Sequence, residues 1–402
     1  MRRLLLAAAV TLLAVSATAS AASSSQPDVR FATFNASLNR SAEGLLVTHL
    51  SSPEVDDVFR RQARNVAEVV QRVRPDVLLI NEFDFDPAAV DLFHDNFLQV
   101  SHNGSTPIKY GYSFIAPSNT GIPTRKDLDN NGVVGGGNDA FGFGAFPGQF
   151  GMVVYSKYPI AMDDVRTFQL FRWKDMPGNL IPTPFYAPDE VDILRLSSKS
   201  HWDIPIEIGK KTVHFLVFHP TPPVFDGPED RNGRRNFDEI RFWADYISPG
   251  KSDYIYDDEG QTGGLKPGEL FVIAGDQNSD PLDGDSIPGS IQQLLEHPLV
   301  NTKTTPESAG AVEATALQGG ANTTHRSDPR FDTADFSDSA PGNLRADYVL
   351  PRKNLKIVDA GVFWPIQAKP LWRLTGVFDF AQWGPVGGFP TSDHRMVWID
   401  VR

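Results

Sequence analysis

Apolar positions along the chain fall into short runs that each close on a polar side chain. VRFATFN at 29–35 alternates in part and reads as a strand ending at Asn35. At 55–73, Val55, Val58, Phe59, Ala63, Val66, Ala67, Val70 and Val73 recur on one side of a helical repeat. This predicts an amphipathic helix, stopped by Pro75. VLLINE at 77–82 follows as a buried strand ending in the carboxylate of Glu82. Strand, helix and strand at this spacing predict a layered α/β unit. MVVYS at 152–156 and VHFLVFH at 213–219 are further strands, the second ending in His219 before a proline-rich exit. Residues 226–246 run into a charged helix that ends near Tyr246. LFVIAGD at 270–276 is a buried strand, and Gly275 predicts a sharp turn at its end. That turn brings Asp276 and Asn278 to the lip of a sheet, where α/β proteins place their chemistry. A short strand at 345–351 carries Asp347, and Asp393 with His394 stands just before the last strand. Residues 172–205, rich in proline, are assigned to no element, and residues 300–345, with His325, read as a long surface insertion.

The chain has 402 residues, 41% of them hydrophobic, enough for one large domain with a sizeable core. No internal repeat or clean linker divides it. Residues 28–402 are therefore expected to form a single domain with loop insertions near 101–150, 226–268 and 300–345. The start is different. Arg2 and Arg3 precede an apolar run, and Ala19, Ser20 and Ala21 fit a cleavage site. This predicts a secretory signal peptide at 1–21 and a secreted mature protein. No later segment is apolar enough to cross a bilayer. The chain has no cysteine, so disulfides cannot staple it, and its stability must come from the core and from bound ions.

With 37 Lys and Arg against 50 Asp and Glu, the formal net charge is −13. Such a chain cannot hold nucleic acid by charge alone, although a divalent cation reverses the sign locally. DLDNNGV at 127–133 offers a place for one. Asp127, Asp129 and Asn131 stand at positions 1, 3 and 5 of a calcium loop, with Gly132 at 6 and Val133 at 7. Position 12 is Asn138 rather than Glu, with Asp139 next to it. The expected role of this loop is to order a long insertion around a structural Ca²⁺.

Asn35, Glu82, His219, Asp276 with Asn278, and Asp393 with His394 all stand at strand ends, and Asp347 at a strand start. A carboxylate beside a carboxamide suits a hard cation and a phosphate. Taken in order, Phe34-Asn35, Asn81-Glu82, Phe218-His219, Gly275-Asp276-Gln277-Asn278, Ala346-Asp347 and Ser392-Asp393-His394 resemble the endonuclease/exonuclease/phosphatase superfamily, the DNase I-like fold. The likeness spans nearly the whole chain after the leader. Asn81 departs from it, standing where many relatives carry Gln.

The resemblance implies a four-layer α/β sandwich of two packed mixed β-sheets flanked by helices. It also implies a phosphoester hydrolase dependent on Mg²⁺ or Mn²⁺. Glu82 would be the principal metal ligand, assisted by Asn35 and Asp393. Asp276 and Asn278 would position the attacking water and the phosphate. His219 and His394 would contact the phosphoryl oxygens, with Asp347 and Asp393 orienting the histidines. The basic cluster Arg231, Arg234 and Arg235 can grip a phosphate or a nucleic-acid backbone. The leading expectation is a secreted phosphodiesterase of nuclease type, with no protein partner implied. A phosphomonoesterase or a lipid-headgroup phosphodiesterase keeps the same fold. A non-catalytic, calcium-stabilised secreted module is disfavoured, because all six catalytic positions are filled.

Overall fold

The computed structural model describes residues 28–402, so the expected signal peptide at 1–21 lies outside the described residues. In chain order the strands are β1 (Val29–Leu38), β2 (Val77–Phe83), β3 (Tyr112–Phe114), β4 (Met152–Ser156), β5 (Arg166–Thr167), β6 (His201–Ile208), β7 (Lys211–Phe218), β8 (Leu270–Asp276), β9 (Ala334–Asp335), β10 (Asn343–Leu344), β11 (Asp347–Pro351), β12 (Ile357–Val362) and β13 (Val397–Val401). The longest helices are α1 (Val58–Val73), α2 (Arg231–Tyr246) and α3 (Ala309–Gln318). No helix among the described residues is long and apolar enough to cross a membrane.

The strands form a six-stranded sheet in the order β12-β13-β1-β2-β4-β3 and a five-stranded sheet in the order β11-β8-β7-β6-β5. Each sheet is mixed, with one parallel pair: β1 with β2 in the first and β7 with β8 in the second. Burying apolar side chains on both faces requires a partner on each side. The inner faces supply it for one another. The Phe31 ring lies 5.5 Å from that of Phe215 and the Phe114 ring 5.1 Å from that of Trp202, within a core shared by both sheets. On the outer face of the first sheet, Ala63, Val66, Ala67 and Val70 of α1 meet Phe34, Leu78 and Ile80. On the outer face of the second, Ile240, Phe242 and Trp243 of α2 meet Leu216, Phe218 and Ile273. Helix, sheet, sheet and helix make the four-layer α/β sandwich that the sequence implied.

Local chemistry sets the element ends. The Asp57 carboxylate accepts from the Arg60 amide at 2.9 Å and caps α1, which stops at the left-handed Arg74 before Pro75. Three sequence expectations need correction. The proline-rich stretch 172–205 runs into β6, and Pro205 is tolerated there because the far side of β6 meets little regular strand: only the two residues of β5 and one bridge from Ile160. Gly275 lies within β8, not at a turn beyond it. A Cβ there would sit 2.0 Å from the Phe218 carbonyl oxygen, so the glycine allows close approach of β7. Residues 300–345 are not merely a surface insertion: Thr333, Ala334, Asp335 and Asn343 are buried, and β9 and β10 form a ribbon against the segment that leads into β13.

Candidate active site

The register of the two sheets assembles the site. Asn35 of β1 pairs with Asn81 of β2, which places Glu82 one residue further along. Asp347 of β11 faces Asp276 of β8 across an antiparallel pair. His219 follows β7, whose parallel register with β8 carries it to the same edge. The segment before β13 brings Asp393 and His394. The site therefore forms where the parallel pairs of both sheets end.

Asp276 is its focus. Its Oδ2 accepts from Asn35 Nδ2 at 3.0 Å and lies 3.3 Å from His219 Nε2 and 3.6 Å from His394 Nε2. Its Oδ1 accepts the Asn278 amide at 2.9 Å, and the Asp276 amide donates to Asn81 Oδ1 at 3.2 Å. Burial opposes its charge, yet the imidazoles of His394 and His219 hold its carboxyl well below the usual range. Asn35 Nδ2 also reaches Glu82 Oε1 at 3.1 Å, tying the two carboxylates through one amide. Burial, and then the Asp393 carboxylate, push Glu82 up to about 7. His394 Nδ1 pairs with Asp347 Oδ2 at 2.9 Å, and Thr333 Oγ1 donates to the same oxygen at 2.8 Å. Burial disfavours an imidazolium at His394, but Asp347 and Asp276 on its two sides raise its pKa well above the ordinary value. His219, by contrast, is pushed down to about 4 by burial and by Lys199. It stays neutral at pH 7, and its Nδ1 has no partner.

Backbone strain gathers at this edge. Ser37, Glu82 and Asn278 hold positive φ angles of 48°, 59° and 50°. Non-glycine residues in this conformation are costly and cluster at functional sites. The strain at Glu82 coincides with a register shift between β1 and β2.

Two groups of side chains can hold a cation. Asp276, Asp347 and His394 bring ligand atoms within 4.8 Å of one another. His394, however, is held as a cation between its two aspartates, which makes it a poor metal ligand. Beside this group stands Glu82, pushed up to about 7 by burial and then by Asp393, and Asn35 Nδ2 joins its carboxylate to Asp276. The second group is Asp127, Asp129 and Asp139 in the 127–139 loop, again within 4.8 Å. The Asp139 carboxylate accepts the Leu128 and Gly135 amides at 2.7 and 2.6 Å, while Asn138 Nδ2 donates to Asp129 at 3.0 Å. Asn131 Oδ1 accepts the Val133 amide at 2.8 Å.

Most of the sequence-predicted site residues meet here; Asp393 and the three arginines differ from the expectation. Asp393 is not the partner of a histidine; Asp276 and Asp347 are. Of the basic cluster, Arg231 lines the cleft but pairs with Glu229. Arg234 donates to the Glu229 carbonyl at 3.0 Å and, among the described residues, is not part of the cleft wall. Arg235 also lines the cleft, but it spends its guanidinium on the carbonyls of Phe141, Arg195, Leu196 and Ser197. Sequence reasoning gave Asn81 no role of its own and missed Thr333 and Lys199. Asn81 was visible as a polar residue inside an apolar strand; the other two sit in segments without a periodic pattern.

Above the site lies a cavity of about 830 Å³. Glu82, Asp276, His219, Lys199 and His394 form its polar floor, and its walls carry Phe143, Phe150, Phe225 and Phe336. All three predicted insertions contribute to it: Leu128 and Phe143 from the first, Arg231 and Arg235 from the second, Phe336 and Leu344 from the third.

Residues 32–394 match the family described as Endonuclease/Exonuclease/phosphatase family. No curated protein matches the chain. Among solved structures, an endonuclease/exonuclease/phosphatase from Beutenbergia cavernae DSM 12333 is 17% identical, with 93% of this chain and 71% of that one covered and a TM-score of 0.48. Sphingomyelinase C from Streptomyces griseocarneus is 14% identical, with 94% and 100% covered and a TM-score of 0.47. A beta toxin variant from Staphylococcus aureus with bound magnesium ions is 13% identical, with 94% and 100% covered and a TM-score of 0.44.

Proposed function

The chain belongs to the endonuclease/exonuclease/phosphatase family, and from that premise we propose that it is a secreted, divalent-metal-dependent phosphoesterase that cleaves phosphodiesters by in-line attack of water. The observation that carries this reading is the convergence of Asn35, His219 and His394 on one oxygen of Asp276, beside the strained carboxylate of Glu82. Phosphoryl transfer needs positioning and charge stabilisation rather than a covalent nucleophile.

Glu82, Asn35 and Asp393 would hold Mg²⁺ or Mn²⁺, whose chemistry when bound is to polarise a phosphoryl oxygen and neutralise developing charge. Burial and then the Asp393 carboxylate lift Glu82 to about 7, and such an ion would favour its charged form. Asp276, kept ionised, accepts a proton from the attacking water, and Asn278 at the turn helps to place that water. His394, kept protonated by Asp347, donates to a non-bridging phosphoryl oxygen. His219 is neutral, and its Nε2 faces Asp276, so it orients that carboxylate. The loop with Asp127, Asp129, Asn131, Val133 and Asp139 would bind a structural Ca²⁺ that orders the first insertion.

The leading substrate class is a phosphodiester such as a nucleic acid. A second reading, an ester whose alcohol is apolar, including a lipid headgroup ester, is favoured by the exposed rings of Phe143 and Phe225 on the cavity wall. Chelator-stripped protein, refilled with Mg²⁺, Mn²⁺ or Ca²⁺, should be assayed on plasmid DNA, a small phosphodiester and a phosphomonoester. Metal-restored diester cleavage supports the proposal, and activity on the monoester alone replaces it with a phosphatase. No activity on any of the three in every metal would overturn the diesterase reading for these classes and send the search to lipid esters.

A further inference from the structure

One charged group in the site is still without a role. Lys199 is 7% exposed and lines the cavity floor with Glu82, Asp276 and His219. Among the described residues, no ion pair and no hydrogen bond engages its ammonium. A buried lysine without a partner is costly and is rarely kept for packing alone.

The nearest bland explanation is that Lys199 neutralises Glu239. The structure argues against a direct pair: Glu239 Oε1 accepts the Ser198 amide at 2.6 Å and Oε2 the Thr221 amide at 2.6 Å, and no ion pair joins either oxygen to the ammonium, so Glu239 acts on it only at longer range. The backbone around Lys199 is held on both sides. The Asn119 amide donates to the Lys199 carbonyl at 2.9 Å, while Asn119 Nδ2 and Arg235 Nη2 donate to the Ser197 carbonyl at 2.8 and 3.1 Å. The backbone is thus fixed, while the head has no partner but the cavity. Burial lowers the pKa of Lys199, whereas Glu239, Glu82 and Asp276 favour its charged form.

We propose that Lys199 is a substrate-binding residue: its ammonium donates to a non-bridging oxygen of the bound phosphoryl group, on the His219 side of the site opposite His394. The group takes no proton and forms no bond to phosphorus. It lowers the barrier because it is already desolvated and aimed where negative charge gathers as the water–phosphorus bond forms and the phosphorus–alkoxide bond breaks. A donor supplied from the segment before β6 completes a clamp whose other donor, His394, comes from the segment before β13.

This inference rests on the phosphoesterase reading, and the test separates the two. Full-length mature protein, Lys199→Met and Lys199→Arg are compared in Mg²⁺ for turnover of bis-p-nitrophenyl phosphate and for the Mg²⁺ concentration that gives half activation. Calorimetric binding of inorganic phosphate and the thermal midpoint complete the comparison. Lys199→Met should lose about 10²–10³ in kcat/KM and bind inorganic phosphate about tenfold more weakly. Its Mg²⁺ requirement should stay unchanged and its thermal midpoint should not fall. Lys199→Arg should recover part of both losses. Unchanged phosphate binding in Lys199→Met overturns the clamp, whatever happens to turnover. So does turnover within about threefold of the parent. If the parent cleaves no ester yet binds phosphate through Lys199, the clamp stands and the phosphoesterase reading falls. Should Lys199→Met not fold, Lys199→Gln carries the same comparison.

Discussion

Replacing Asp347 by Asn isolates the electrostatic part of the mechanism with almost no change of shape. Asp347 is buried, holds His394 Nδ1 at 2.9 Å and accepts from Thr333 Oγ1 at 2.8 Å. Asn keeps an acceptor for Thr333 but removes the charge beside the imidazole. Breaking one half of a buried ion pair costs about 3–5 kcal/mol. If that stabilisation is needed in the transition state, the loss converts to about 10²–10⁴ in rate. The pH dependence has a definite sign. Asp347 and Asp276 raise the pKa of His394 above its unfolded value, so the protonated form persists through neutrality and is lost as the pH rises through the raised value. Without the Asp347 charge, that loss must come at lower pH. The assay is kcat against pH on a small phosphodiester, beside a thermal melt to confirm folding. A folded Asp347→Asn protein that keeps parental turnover, with its alkaline limb in place, would refute the role given to this pair.

Gly275→Ala should cost about 3 kcal/mol or more in chemical denaturation, because the new Cβ would meet the Phe218 carbonyl oxygen at 2.0 Å; a loss under about 1 kcal/mol would disprove the close-approach account. His201 is pushed down to about 3 by burial, with Nε2 donating to the Glu239 carbonyl at 2.9 Å. Its folded pKa lies below the unfolded one, so the stability it contributes is full above about 6.5 and lost as the pH falls towards the folded value; His201→Gln should flatten that part of the melting-temperature profile, and an unchanged slope counts against it. Ca²⁺ at a hundredfold excess over its Kd should stabilise the parent by about 2.7 kcal/mol and should leave Asp129→Asn unmoved, whereas equal stabilisation of both would remove the ion from the 127–139 loop. Asp276→Ala and His394→Ala should fold and lose turnover, and full activity in either overturns the site.

What could be read from the sequence was whatever repeats or stops sharply. The apolar stripe from Val58 to Val73 and the run from Leu270 to Ala274 declared their elements, and the polar residues at their ends declared most of the site. Among the strands that stayed hidden, β6 carries Pro205 within a proline-rich stretch and β12 exposes Val358 and Asp359, so neither gives a clean alternation. Side-chain pairing was harder still. The partner of His394 follows from the register that sets Asp347 opposite Asp276, and no local pattern records a register between strands some seventy residues apart. Lys199 was invisible because a lysine among serines reads as a solvated turn, and only tertiary burial gives it meaning.

The same distinction explains how an acidic chain can act on an anionic substrate. The field that matters is set by the floor of the cavity and not by the net charge of −13. There the cations are few and fixed: the Lys199 ammonium without a protein partner, the His394 imidazolium held by Asp347, and a divalent ion that the oxygens of Glu82, Asn35 and Asp393 would hold. Their opposing charges are Asp276, Glu82, Asp347 and Asp393, and burial and then Asp393 push Glu82 up to about 7. Bound metal would offset these carboxylates and leave the Lys199 ammonium and the His394 imidazolium to face a phosphoryl group. Aromatic side chains stand around that floor, with the rings of Phe143 and Phe225 exposed. On this account, substrate choice belongs to the walls and turnover to the floor. Replacing Phe225 by Ser should therefore alter KM among esters of different alcohols and leave kcat for a small diester unchanged. An equal fall in kcat for every ester would place Phe225 in the chemistry and refute the division.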